Sequence, residues 1–188
     1  MPIIDLPPDN PQIHTDVATL LVDSFRENWP DAWPDLAAGM QEVQESLQPN
    51  RISRIAINTD GEVLGWIGGL PYPGYSGNVW ELHPLVVKAS ERGQGWGSRL
   101  VADLETCVWQ RGGLTLWVGT DDESGQTSLS DTHLYPNVLE HLAQLQNLHQ
   151  HPYEFYQKCG FSVVGVMPDA NGLGKPDIYM AKSITPRR

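Results

Sequence analysis

The chain has 188 residues, of which 40% are hydrophobic, and a formal charge of −11. That length allows one domain with a full core and no disulfides, and the two cysteines, Cys107 and Cys159, have no metal-ligand spacing. The acidic balance argues against nucleic acid as a partner, since phosphate contacts need clustered Lys and Arg. No apolar run approaches the roughly 18 residues of a membrane span, so a cytoplasmic chain with reduced thiols is expected.

The elements follow in chain order. A short strand at Ile3–Leu6 precedes a helix from Thr15 to about Glu27, with Val17, Leu20, Leu21 and Phe25 at helical spacing and Thr15 as N-cap. Trp29 to Pro34 breaks that helix, and a second runs from Pro34 to Gln48. Arg51–Asn58 and Glu62–Leu70 read as strands joined by an Asp60-Gly61 turn. Gly65, Gly68 and Gly69 leave the second of these strands bare, which predicts a close backbone neighbour or a bulge. Val79–Lys88 is the next strand, followed by a helix over Trp96–Gln110 with Leu100, Val101, Leu104 and Val108 on one face.

Leu114–Val118 is a short buried strand. A long connection over residues 120–151 holds a helix striped by Val138, Leu142, Leu145 and Leu148. Tyr153–Cys159 is a short helix closed by Gly160, and Phe161–Met167 and Asp177–Ile184 are the last strands. Strands and helices with one parallel-type crossover predict an α/β fold in a single domain over residues 1–188, with residues 120–151 as an insertion near the active site.

The most informative residues are Arg92-Gly93-Gln94-Gly95-Trp96-Gly97, between a strand and a helix. Such a turn converges backbone N–H groups and a helix dipole on one spot, which suits a phosphate. Its glycine spacing is not that of the dinucleotide fingerprint, and the Gly-Lys-Ser/Thr of a nucleoside-triphosphate loop is absent.

Two further matches stand at fixed distances. Val87 lies five residues before Arg92, and Phe155-Tyr156-Gln157-Lys158-Cys159-Gly160-Phe161 follows about 60 residues later. With them, the loop resembles the acetyl-CoA pyrophosphate loop of the GNAT N-acetyltransferases, a resemblance that spans about Glu62 to Ile184. It implies the GNAT fold: a mixed, mostly antiparallel sheet with a splayed central strand pair, flanked by helices. It also implies acetyl-CoA as co-substrate, with no metal. The backbone of Gly93, Gln94, Gly95, Trp96 and Gly97, with Ser98, would cradle the pyrophosphate, and Arg92 would add a cation. Leu85, Val86 and Val87 would bond the pantetheine arm. The family often has Asn seven residues before its tyrosine; His149 stands there, with Asn147 two residues earlier, so no Asn contact is carried over.

Acetyl transfer needs a base for the amine, a donor for the oxyanion and an acid for the thiolate. By resemblance Glu81 is the base and Tyr156 the acid, with the Val86 or Val87 N–H as the oxyanion donor. A salt-bridged surface carboxylate and a core tyrosine are the plain alternatives. Alternation puts Glu81 and His83 on one face, where His83 is a second base, a water-holding partner or a structural histidine. Trp80, His83, Asp121 and Asp122 are the substrate contacts, the last two in the acidic run Asp121-Asp122-Glu123.

The segments from Glu81 to Val87, Gly119 to Glu123, His151 to Lys158 and Pro168 to Gly172 resemble the aminoglycoside 6′-N-acetyltransferase branch. That implies a small cationic amine as substrate. The alternatives are another amine (a polyamine, lysine or protein N-terminus) and a CoA-binding sensor without turnover. Glycine-rich strands and the insertion leave room for a homodimer.

Overall fold

The computed structural model describes residues 2–185. They form two compact units, one running to Leu116 and rejoined at Ile184, the other Trp117–Ser183.

In the first unit, β1 (Ile3–Asp5), β2 (Ile52–Ile57), β3 (Val63–Pro71) and β4 (Val79–Val87) pair antiparallel in that order. Helix α1 (Pro11–Phe25) begins at Asn10, whose side chain accepts the Ile13 N–H at 3.2 Å, with Pro11 in the first turn. Thr15, the expected cap, lies inside the helix and bonds back to the Pro11 carbonyl at 3.0 Å. The cap and proline outrank the apolar spacing in setting where the helix starts. Helix α2 (Leu36–Ser46) is capped by Asp35, which accepts from Ala38 N at 2.9 Å.

The sheet is covered on both faces. Val17 and Leu21 of α1 and Val43 of α2 bury Ile55, Trp66 and Val86 on one side. On the other lies α3 (Trp96–Gln110), with the predicted limits and Leu100, Val101, Leu104 and Val108 buried. Here the bare glycines of β3 matter, since a Cβ on Gly65 or Gly69 would stand 2.9 or 2.7 Å from a methyl of Leu100 or Leu104. Arg54 of β2 clamps this side. Its guanidinium grips both oxygens of Asp103 at 2.7 and 3.1 Å and one oxygen of Asp5 at 2.7 Å.

Both the close neighbour and the bulge predicted for β3 are present. Ile67 pairs with Leu85 but Gly69 pairs with Leu82, so Gly68 alone faces His83 and Pro84. The extra residue on β4 reverses its side-chain alternation there. Val86 points to α1 and α2. Leu82, opposite Gly69 and hence beside Leu104, points to α3. Glu81 and His83 are thereby turned to the α1–α2 face.

In the second unit, β5 (Thr115–Asp121, which starts at the boundary), β7 (Asp177–Ser183) and β6 (Ser162–Met167) lie in that order, β6 and β7 antiparallel. Ile178, Leu129 and Leu134 form a small core under Val138 and Leu142 of α4 (Val138–Ala143). The expected helical stripe ends early, with Leu145 packed from a loop and Leu148 52% exposed. The chain instead turns back, and Thr127 bridges Asn147. Helix α5 (Tyr153–Lys158) follows, and Gly160 beyond it has φ 89°, as its C-terminal position requires.

His151 ties this loop together. Its Nδ1 accepts the Tyr153 N–H and its Nε2 donates to the Asp121 carbonyl, both at 3.2 Å, so the ring is neutral. Burial lowers its pKa below 6.5, against the opposing pull of Asp122 and Asp121. The sign follows: the stability owed to the neutral ring is complete above the unfolded value and is lost as pH falls through the folded one. Thermal melts should therefore show Tm dropping between pH 7 and pH 5, with a flatter dependence in His151→Gln. An equal slope in the variant would refute this.

Among the described residues, no helix is long and apolar enough to cross a membrane, and no group of three or more His, Cys, Asp or Glu could hold a metal.

Candidate active site

The glycine loop forms an open turn at the start of α3. After a 3₁₀ turn at Ala89–Glu91, Gly93 and Gly95 adopt φ of 78° and 86°, which L side chains rarely tolerate. Gly95 is the N-cap of α3 and makes no side-chain cap, so the helix start relies on another acceptor. Apart from the chain neighbours, no described protein atom lies within 4 Å of where a Cβ on Gly93 or Gly95 would stand, so the space in front of the helix start is open. That open turn with free helix N–H groups is compatible with the diphosphate of coenzyme A. Gln94, Ser98 and both glycines are exposed, Gly97 is half-buried, and Trp96 is buried.

Two cations border it. Arg92 is exposed and its Nε donates to the Val87 carbonyl at 3.1 Å, tying the loop to the end of β4. The Arg99 guanidinium stacks 4.9 Å above Trp96. Arg99 went unnoticed in the sequence, although one helical turn past the loop is where a second cation belongs.

Of the β4 segment, Lys88 N donates to the Leu64 carbonyl at 2.8 Å and Val86 pairs with Trp66. Antiparallel alternation then commits the Val86 N–H to β3 and turns those of Leu85 and Val87 away. Of the two oxyanion donors considered, this geometry favours Val87.

Glu81 and His83 share the face that looks at α2. Burial raises the Glu81 pKa, Glu42 adds to the rise, and His83 and Arg51 oppose it. A carboxylate so placed is a stronger base than a solvated one. His83 Nε2 lies 3.8 Å from Glu42 Oε2 of α2, and the Trp33 ring packs 5.6 Å from the His83 ring. Neither Glu42 nor Trp33 carries a motif, and only the packing of α2 on the sheet brings them here.

Trp80, expected among the substrate contacts, is part of the core instead. It is 5% exposed, lies under the Arg111 guanidinium at 5.7 Å and donates Nε1 to the Gly77 carbonyl at 3.0 Å. The bulge leaves it on the α3 side, away from the face of Glu81. Asp122 is likewise internal. It is fully buried, and its two oxygens accept the Gln126 and Thr127 N–H groups at 2.7 Å each. Asp121 accepts from Asn171, and Glu123 lies 3.9 Å from Lys175 Nζ. The acidic run is thus largely engaged with its own loop. Asn147 is engaged too, its amide bonding the His151 N–H and carbonyl at 2.8 and 3.0 Å.

Tyr156 of α5 is buried, set edge-on to Phe155 at 5.1 Å and to Phe161 at 5.5 Å between ring centroids. Burial, with a smaller contribution from Cys159, pushes its phenol pKa well above the ordinary range. The hydroxyl therefore keeps its proton at neutral pH and is available as a donor.

Comparison with known proteins follows from this geometry. The acetyltransferase (GNAT) family model matches residues 14–129. The chain is similar to an aminoglycoside 6′-N-acetyltransferase solved with coenzyme A, at 44% identity and a TM-score of 0.89, covering 100% of this chain and 99% of that one. An aminoglycoside 6′-N-acetyltransferase from Enterococcus faecium is 44% identical, with a TM-score of 0.87 and the same coverage. An aminoglycoside 6′-acetyltransferase type Ii is 39% identical, with a TM-score of 0.74 and 100% coverage of both chains. No curated protein sequence matches. A family model across most of the chain and full-length likeness at this identity agree: the chain belongs to the acetyltransferase (GNAT) family and is an acetyl-CoA-dependent N-acetyltransferase.

Proposed function

We propose that this enzyme acetylates the 6′-amine of aminoglycoside-type aminosugars. The observation that carries this reading is the full-length similarity, at 44% identity, to aminoglycoside 6′-N-acetyltransferases. The half-buried carboxylate Glu81, on a face shared with His83 and backed by Glu42, supports it, since a cationic acceptor gains from such surroundings.

The thioester of acetyl-CoA supplies the activated acetyl group. A substrate ammonium first releases one proton to solvent, and Glu81, directly or through water, takes the second proton as the free amine attacks. The nitrogen–carbon bond forms, the Val87 N–H steadies the oxyanion, and the carbon–sulfur bond breaks. Tyr156 keeps its proton and donates a hydrogen bond to the departing thiolate, which is then protonated by solvent or by the protonated Glu81. That help is modest, because a thiol with a pKa of about 8.5 leaves readily. The backbone of residues 93 to 97, with Ser98 and Arg92, holds the diphosphate, and Leu85 and Val87 align the pantetheine arm. Acetyl-CoA supply makes the cytoplasm the working compartment.

Thiol release from acetyl-CoA with kanamycin-type amines, followed by NMR of the product, tests the reading. Acetyl on the 6′-nitrogen is expected. Turnover only with peptides or simple polyamines would overturn the substrate assignment. Tyr156→Phe should lower kcat by about tenfold, the loss of one hydrogen bond to a charged leaving group. An unchanged kcat would return Tyr156 to a packing role.

A further inference from the structure

The α2 carboxylate behind the candidate base has no part in the scheme above. Glu42 is 14% exposed at its side chain, with Oε2 3.8 Å from His83 Nε2 and Oε1 3.8 Å from Arg51 Nη1. Its Oε1 is buried and accepts no hydrogen bond among the described residues. Arg51 is divided between Glu42 and Glu45, whose carboxylate lies 3.7 Å from Nη2. Those contacts hold the carboxylate ionised and so add to fold stability at neutral pH. Its location gives it a second task, since its nearest partner, His83, is two residues from Glu81 on the same face of β4.

We propose that Glu42 is a positioning residue for acetyl transfer, its carboxylate holding the His83 imidazole, with Trp33 packed on that ring, beside Glu81. The inference rests on Glu81 being the base. His83 is 40% exposed at its side chain and has two contacts to orient it, the Glu42 carboxylate and the Trp33 ring. With the ring fixed, a water or the acceptor amine meets Glu81 and His83 in one geometry. The titratable and charged groups that bear on Glu81 are His83 from its own strand, Glu42 from α2 and Arg51 from the turn before β2. Glu42 itself stays ionised: burial opposes this, but His83, Arg51 and Trp33 together hold its pKa below the usual carboxylate range. Its negative charge in turn resists ionisation of Glu81.

The test compares Glu42→Gln, Glu42→Asp, His83→Asn, Glu42→Gln/His83→Asn and Glu45→Gln, each with a thermal melt and a full pH profile. Glu42→Gln should lower kcat about tenfold, leave KM for acetyl-CoA alone, lower Tm slightly at pH 7, and move the acid limb of kcat/KM down by about 0.5–1 pH unit. Glu42→Asp keeps the charge but not the reach, so it should lose kcat while the acid limb stays. The double variant should be no worse than His83→Asn, as two residues acting through one contact require. Glu45→Gln, which removes the other carboxylate on Arg51, should match the parent enzyme. Parent-like kcat and acid limb in Glu42→Gln, or losses in the double variant that simply multiply, would overturn the proposal. If Glu81→Gln itself retained full activity, the base assignment would fail first, a result distinct from either of these.

Discussion

Glu81→Gln is expected to lower kcat by about 100- to 10,000-fold, the range typical of removing a positioned general base. Binding of acetyl-CoA, measured by calorimetry, should be unchanged, because the diphosphate loop is independent of this side chain. In the parent enzyme the acid limb of kcat/KM should lie above the ordinary carboxylate range, since burial is the main cause of the raised pKa. The base acts only when ionised, so activity climbs as pH rises through that value.

The same shift has an opposite consequence for stability. A carboxyl whose folded pKa is raised binds its proton more tightly in the folded state, so folding loses stability as pH rises through the folded value. At neutral pH an ionised Glu81 is therefore a cost. Glu81→Gln should melt at the same temperature or higher at pH 7 while losing activity. A variant that lost both together would show that Glu81 matters for folding and leave its chemistry unproved.

Gly68→Ala is expected to have the next largest effect, on stability and activity together. A Cβ there would lie 2.2 Å from the His83 carbonyl oxygen and 3.2 Å from Pro84 Cδ. The first of these contacts is backbone, which cannot swing aside as a side-chain end can. Overpacking of this kind costs about 3 kcal/mol, or roughly 6–12 °C in Tm for a chain of this size. Relief requires the strands to separate at the bulge that aims His83 and Glu81. A displacement of about 1 Å there would cost on the order of 100-fold in kcat. Gly165→Ala is the control, because its Cβ would meet Tyr179 at 3.6 Å, an ordinary contact. If Gly68→Ala kept the parent kcat and Tm, the bulge could not be what orients this face.

The glycine turn into α3 was legible because its requirements are local. A cradle of main-chain N–H groups needs glycines at fixed spacing between a strand and a helix, and six consecutive residues contain that whole requirement. The limits of α3 were legible for a related reason. Gly95 starts the helix, the Leu100, Val101, Leu104 and Val108 stripe defines its buried face, and Gly112-Gly113 ends it. By contrast, apolar spacing misplaced the start of α1, where Asn10 and Pro11 set the boundary through hydrogen bonding and a fixed φ.

The substrate side was harder to read. Asp121 and Asp122, in an acidic run, were expected among the substrate contacts, yet Asp122 is consumed by the Gln126 and Thr127 N–H groups. A sequence lists acceptors without saying which donors are already aimed at them. Trp80 illustrates a second limit. Strict alternation along β4 correctly pairs Glu81 with His83 but is silent about which layer they face.

By itself the sequence determined the family and the succession of most strands and helices, and pointed to the glycine loop and Glu81 as the groups to test. All of these depend on residues close together in the chain or on periodicity within one element. Only the tertiary structure decided that Glu81 and His83 meet Glu42 and Trp33 while Trp80 and Leu82 meet α3. The physical reason is one unpaired step between β3 and β4, where Gly68 lets two backbones touch and the pleat reverses its sides.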